Sequence, residues 1–166
     1  ARIYHEILDA AAALPGVTSA GLTNALPLQP GSLTGSSYTV ESRPADEDVL
    51  QKIVMFGVIS NGFLDAMGTP LVAGRDIERA DYDHARPVIL INEQFAREAF
   101  GDADPIGQRV RFSGESWLEI VGVVKDVRLM GPREELRPIA YLPMTAPVPG
   151  ARMGLMHVAL RTDGDP

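Results

Sequence analysis

Hydrophobic and polar positions along the chain follow two periods, about two residues in some stretches and about 3.6 in others. Residues 88–128 show both most clearly. Val88-Ile89-Leu90-Ile91 is an apolar run, three of its four residues β-branched, and reads as a buried strand. Asn92 stands where an N-cap belongs, and Glu93 puts an acid in the first turn of the helix that follows. Phe95, Ala96, Ala99 and Phe100 share one face of that helix, and Gly101 ends it. Asp104-Pro105-Ile106-Gly107 is turn chemistry. Val110, Phe112 and residues 118–124 predict two more strands, joined as a hairpin around Ser113-Gly114-Glu115-Ser116. The result is a β-α-β-β unit without an obvious catalytic group.

The other elements are arranged around it. Residues 3–14 read as a helix whose apolar stripe is Ile3, Ile7, Leu8, Ala11 and Leu14, stopped by Pro15-Gly16. Residues 17–22 predict a strand, and residues 24–37, rich in proline, glycine and hydroxyl residues, a long surface loop or contact arm. A short strand at 38–41 and a polar turn at 43–48 lead to a strand at 51–60. Asn61 then caps a short helix at 62–67 that Gly68 closes. Residues 71–76 read as an edge strand and 76–84 as an acidic turn. A charged loop at 129–137, a strand at 139–142, a Pro/Gly-rich segment at 146–154 and a strand at 156–162 complete the chain.

Composition narrows the function classes. The 166 residues carry a net charge of −7, so the basic face that nucleic acid requires is not expected. With no cysteine, disulfides, thiolate nucleophiles and cysteine zinc sites are excluded, which suits an extracytoplasmic location. No run approaches the roughly 18–20 apolar residues of a membrane helix. The first residues lead straight into a helix, and the last give a helix-start signal with no helix after it. The chain therefore reads as a piece of a longer protein.

Candidate chemistry is thin. Gly101 and Gly107 enclose five residues, but Gln108 stands where a phosphate loop needs lysine. Asp76, Glu78, Asp81, Asp83 and His84 lack the spacing of a calcium loop, and His5, His84 and His157 form no zinc pair. Ser36, Ser37, Ser60, Ser113 and Ser116 are nucleophiles by type only, none in Gly-x-Ser-x-Gly. Glu93 and Asp126 are candidates for paired carboxylates in acid–base work, with simpler roles as a first-turn acid and a strand-end residue. Neither a catalytic, a metal nor a cofactor site is expected. Leu26, Leu28, Leu33, Met144 and Met153 are candidate partner-contact residues, since leucine- and methionine-rich loops form adaptable surfaces.

The order of short phrases carries a resemblance. Leu14-Pro15-Gly16-Val17, Ala25-Leu26-Pro27-Leu28 and Val58-Ile59-Ser60-Asn61-Gly62-Phe63-Leu64 lead into Met67-Gly68-Thr69-Pro70-Leu71. Ala73-Gly74-Arg75-Asp76, the run VILINEQFA from Val88, Asp104-Pro105-Ile106-Gly107 and the run IVGVVKDVR from Ile120 follow. Tyr141-Leu142-Pro143 and Arg161-Thr162-Asp163-Gly164-Asp165-Pro166 end the series. In this order, over nearly the whole chain, they resemble the periplasmic core domain of MacB-like ABC transporter permeases of the FtsX-like type.

The resemblance implies an α+β domain outside the cytoplasmic membrane, on its periplasmic side, within an integral membrane protein. It implies two lobes: a porter-like lobe from residues 1–62 and 139–166, and an inserted small α/β lobe from 63–138. The implied function is non-catalytic, transmitting ATP-driven conformational change to a periplasmic partner or cargo. Implied partners are the membrane helices and ATP-binding subunit of the parent permease, with an adaptor or cargo protein in the periplasm. A periplasmic ligand-binding module is the alternative, and it requires an apolar pocket with a few convergent polar groups.

Overall fold

The structure, a computed structural model, describes residues 2–29, 33–43, 53–112, 116–128, 131, 133–145 and 155–164. In chain order the elements are α1 (Arg2–Ala12), β1 (Val17–Thr23), β2 (Thr34–Val40), β3 (Ile53–Ile59) and α2 (Phe63–Met67). They continue with β4 (Leu71–Gly74), α3 (Arg79–Asp83), β5 (Val88–Asn92), α4 (Glu93–Phe100) and β6 (Arg109–Phe112). The last are β7 (Leu118–Val124), β8 (Ile139–Pro143) and β9 (His157–Thr162). This is a mixed α+β fold around one nine-stranded sheet.

Most of that sheet closes on itself. β2 pairs with β6, β6 with β7, β7 with β5, β5 with β8, β8 with β3, and β3 again with β2. These strands form a ring, which leaves none of them an open edge. The β5–β7 and β3–β8 pairs are parallel and the others antiparallel. β4 is an outrigger on β7, and β9 runs antiparallel to β1 along its length. β1 meets the ring at a single register pair, Thr23 with Ile59.

Two cores follow from the pleat. Alternate residues of every ring strand form one cluster: Val40, Val54, Phe56, Ile89, Ile91, Val110, Phe112, Leu118, Ile120, Ala140 and Leu142. This is the ring's interior, and α4 adds Phe95, Ala99 and Phe100 to it. The intervening residues Val88, Leu90, Ile139 and Tyr141 face the second cluster, with Leu8, Phe63, Leu64, Ile77 and Tyr82 from the helical side. A bulge in β7 sets the phase: Ile89 pairs with Ile120, but Leu90 pairs with Gly122. Ile120 and Val123 therefore face inward together, while Val121 and Val124 join the outer cluster. Only glycine fits at 122, where a Cβ would collide with the carbonyl oxygen of Arg75.

The central unit forms as its pattern predicts, and α4 spans Glu93–Phe100 with Asn92 as its N-cap. β6 and β7 pair antiparallel, although residues 113–115 of the expected hairpin tip lie outside the described residues. The same is true of the 44–48 part of the polar turn and of the 146–154 segment.

Other expectations are corrected. α1 buries only part of its predicted stripe: Ile3 is 66% exposed and Leu14 52%, with Ile7 exposed as well. Of the stripe Leu8 does turn inward, joined by His5, which meets Tyr82 edge-on at 6.0 Å. A count of aliphatic residues misses this because histidine and tyrosine supply the contact. The acidic turn contains α3, since Asp81 Oδ2 accepts from Glu78 N–H at 2.9 Å and starts a helix at Arg79. α2 is capped by Gly62 at φ 76°, not by Asn61. β2 begins at Thr34, earlier than predicted, because β3 gives residues 34–37 a ladder partner.

Candidate functional site

The polar centre of the molecule grows from the strand-to-helix step at Asn92. Its Oδ1 accepts from Phe95 N–H at 3.0 Å, the cap, and from Ile139 N–H at 2.8 Å. Its Nδ2 donates to Asp126 Oδ1 and to the Arg137 carbonyl, both at 2.8 Å. The amide thus uses its full bonding capacity while completely buried, and it ties β5, α4, the end of β7 and the start of β8 at one point. Asp126 also accepts from Gln94 N–H at 2.8 Å and from Arg97 at 2.6 Å.

The two carboxylates considered for acid–base chemistry do come together here. Glu93 pairs with Lys125 at 3.0 Å and accepts from Asp126 N–H at 3.3 Å. Each acid is held by a cation and by at least one backbone donor, which leaves no oxygen free to shuttle a proton. The knot fastens elements and does not assemble a reacting pair.

A second polar group lies at the other end of β4. Asp81 is 0% exposed and receives both arms of Arg75, at 2.7 and 3.1 Å. Burial works to raise its carboxyl, but the bonds from Arg75 and Glu78 N–H overcome this and hold it below the usual range. The carboxylate of its neighbour Asp76 has, among the described residues, only the Ile77 N–H at 2.6 Å, and burial pushes its carboxyl up to about 6. Among the described residues, no group of acids and histidines is arranged to hold a metal ion.

Between the outer face of the ring and α2 lies a cleft of about 330 Å³. Thr23, Ala25, Pro27, Leu33, Gly57 and Tyr141 line it from one part of the chain, and Phe63, Met67, Thr69, Val127 and Arg128 from the other. The walls are mostly apolar. Tyr141 is 6% exposed, and burial, then the charge of Asp126, push its hydroxyl far above the ordinary tyrosine range.

The sequence-predicted contact residues separate. Leu28 is 69% exposed with φ 63°, a conformation leucine rarely adopts, and Leu26 is half-buried beside it. Leu33 lines the cleft. Met144 belongs to the outer core at 6% exposure, so its side chain offers no contact surface. Met153 lies outside the described residues. Sequence reasoning found Asn92 as a cap but not its bonds to Asp126, Arg137 and Ile139, all more than thirty residues away. Tyr141, Thr69 and Arg128 gave no signal as a group, because only folding brings them to one cleft.

A sequence profile of the MacB-like periplasmic core domain matches residues 5–165. The fold resembles the periplasmic region of MacB from Actinobacillus actinomycetemcomitans, with TM-score 0.65 and 18% identity over 97% of this chain and 66% of that one. It also resembles the extracellular domain of the noncanonic ABC-type transporter YknZ from Gram-positive bacteria, with TM-score 0.60 and 18% identity over 96% and 72%. A domain of a putative permease from Porphyromonas gingivalis gives TM-score 0.56 and 25% identity over 93% and 66%. No curated protein matches the chain in sequence. The chain spans slightly under two thirds of the MacB region and of the P. gingivalis domain. No helix among the described residues is long and apolar enough to cross a membrane. The chain belongs to the MacB-like periplasmic core domain family, the periplasmic domains of ABC transporter permeases.

Proposed function

We propose that this domain is non-catalytic and transmits ATP-driven conformational change from its parent permease to a periplasmic adaptor or cargo. The observation that carries the reading is the placement of both chain ends on one ribbon. α1 leads into β1, β9 pairs with β1 from Val17–Thr162 to Thr23–His157, and Asp163 N–H bonds the Gly16 carbonyl at 2.9 Å. That ribbon has one ladder pair with the ring, Thr23 with Ile59. A displacement entering through the chain ends reaches the ribbon first, and the ring, closed and knotted at Asn92, follows it as a stiff body.

The division into a porter-like lobe (1–62 and 139–166) and an inserted lobe (63–138) is part of this proposal. The cleft supports it, since its two walls come from those two parts. Each part also gives three strands to the ring: β2, β3 and β8 from one, β5, β6 and β7 from the other. The lobes would therefore share a barrel, and the compliant joint would be at the ribbon.

Locking that joint is the test. Thr23 and Ile59 are opposed between the Ser60 N–H to Leu22 carbonyl and Asn24 N–H to Val58 carbonyl bonds, a non-hydrogen-bonded pair suited to a disulfide. In the parent permease, oxidised Thr23→Cys/Ile59→Cys should lose transport at least tenfold while ATP hydrolysis continues, with recovery on reduction. Undiminished transport in the locked form would sink the mechanical reading. A second reading, a periplasmic ligand-binding module, is favoured by the cleft alone.

A further inference from the structure

We propose that the cleft between the ring and α2 binds a small amphiphile, an apolar chain bearing one anionic head, with the chain against Phe63, Met67 and Leu33 and the head at Arg128, Tyr141 and Thr69. The inference rests on the cleft being a ligand site and is independent of the mechanical reading. Its volume of about 330 Å³ lies at the small end of the roughly 300–1,000 Å³ typical of ligand sites. Ala25, Pro27, Leu33, Phe63, Met67 and Val127 give it apolar walls, so an apolar body gains by entering.

The polar groups define the head. Tyr141 is buried but for 6% of its surface and lines the cleft, yet its hydroxyl makes no hydrogen bond among the described residues. A hydroxyl without a protein partner that opens on a mostly apolar cleft favours any acceptor that reaches it there. Thr69 lines the same cleft and likewise makes no side-chain hydrogen bond. Arg128 donates its Nε–H to the Glu134 carbonyl at 3.2 Å, which orients the guanidinium but leaves its terminal nitrogens unused. Its neighbours are satisfied: Lys125 pairs with Glu93, and Asp126 with Arg97. Arg128 is exposed and makes no ion pair among the described residues, so its guanidinium stands at the rim of the cleft with water as its partner, open to an anion. A planar guanidinium with two free arms suits a carboxylate or a phosphate monoester.

The test is titration of the isotope-labelled 166-residue chain with decanoate, decyl phosphate and uncharged decanol, followed by amide chemical shifts. Domains of this fold have been crystallised apart from their transporters, as the MacB periplasmic region shows. Saturable shifts at Gly57, Met67, Val127 and Tyr141 are expected with at least one anion, with decanol at least tenfold weaker. The tighter anion identifies the head as carboxylate or phosphate. Arg128→Gln should weaken the anions about tenfold and leave decanol unchanged, and Met67→Trp should block all three while the remaining spectrum stays folded. Decanol binding as tightly as the anions, or Arg128→Gln without effect, would overturn the anionic class but keep a ligand site. Shifts insensitive to Met67→Trp, or no saturable shift at all, would overturn both.

Discussion

The ring and the ribbon are made from similar residues and bury them to different degrees. β5 and β8 are buried at every position, and β7 everywhere except Glu119. β9 has no buried residue, and Val158 and Leu160 stand 45% and 43% exposed beside an α1 that leaves Ile3 and Ile7 in the open. Each ring strand has a ladder partner on both sides, and β5, β7 and β8 have a core on both faces. The ribbon has one outer edge unpaired and one face half covered. Fully burying an Ile or Leu stabilises by about 1.5–3 kcal/mol relative to exposure, so stability concentrates in the ring. Local opening is therefore expected to begin at β9 and to reach β5 and β8 only with global unfolding.

The strongest blow to the ring is Asn92→Ala. It strips the cap from α4 and leaves Ile139 N–H and the Arg137 carbonyl without their buried partner. A loss of about 3–5 kcal/mol in urea unfolding is expected, near the upper end for single substitutions. A loss below about 1 kcal/mol would mean that the knot does not hold the ring, and the contrast with the ribbon would fail.

Gly21→Ala strikes the ribbon instead. α2 crosses β1 so closely that a Cβ at position 21 would overlap the Phe63 backbone. The helix must shift, at a cost of about 1–3 kcal/mol. Amide exchange should accelerate in β1 and β9 while β5 and β8 keep their protection. Equal acceleration in all four strands would show that ring and ribbon open as one unit.

How far this contrast could be seen in the sequence depends on the range of the contacts that make it. Residues 88–101 were legible because strand, cap, helix face and C-terminal glycine are all settled within one short local stretch, and α4 takes the predicted limits. The ordered phrases also pointed to the family and its fold. Ring closure was not legible: residues 38–40 pair with β6 about seventy residues on, and nothing in Thr34-Gly35-Ser36-Ser37 announces its pairing with β3. α1 was misread for the same reason, since its buried face is chosen by Tyr82 across the core. Asp126 read as a strand-end residue. Its role appears only once Asn92 and Arg97 arrive from another element.

The smallest effect concerns the seam between ring and helices, and it changes with pH. The Asp76 carboxyl rises from 3.8 to about 6 on folding, chiefly through burial. The folded state therefore holds this proton more tightly than the unfolded chain does. Stability contributed by the protonated form is lost as pH rises from about 4 to about 6, and the charged form carries the full penalty above that. Part of the group remains in contact with water, which reduces the penalty to about 1–2 kcal/mol. Asp76→Asn keeps an oxygen for the Ile77 N–H and removes the charge. The variant should be about 1–2 kcal/mol more stable than the parent at pH 7.5 and equal to it near pH 4. Asp81→Asn should do the opposite at neutral pH, because there the buried charge is matched by both arms of Arg75 and by the Glu78 N–H, and its loss weakens all three bonds. Two aspartates five residues apart would then answer the same substitution with opposite signs. If both variants lose stability at pH 7.5, burial does not dominate at Asp76, and the seam is held by both acids alike.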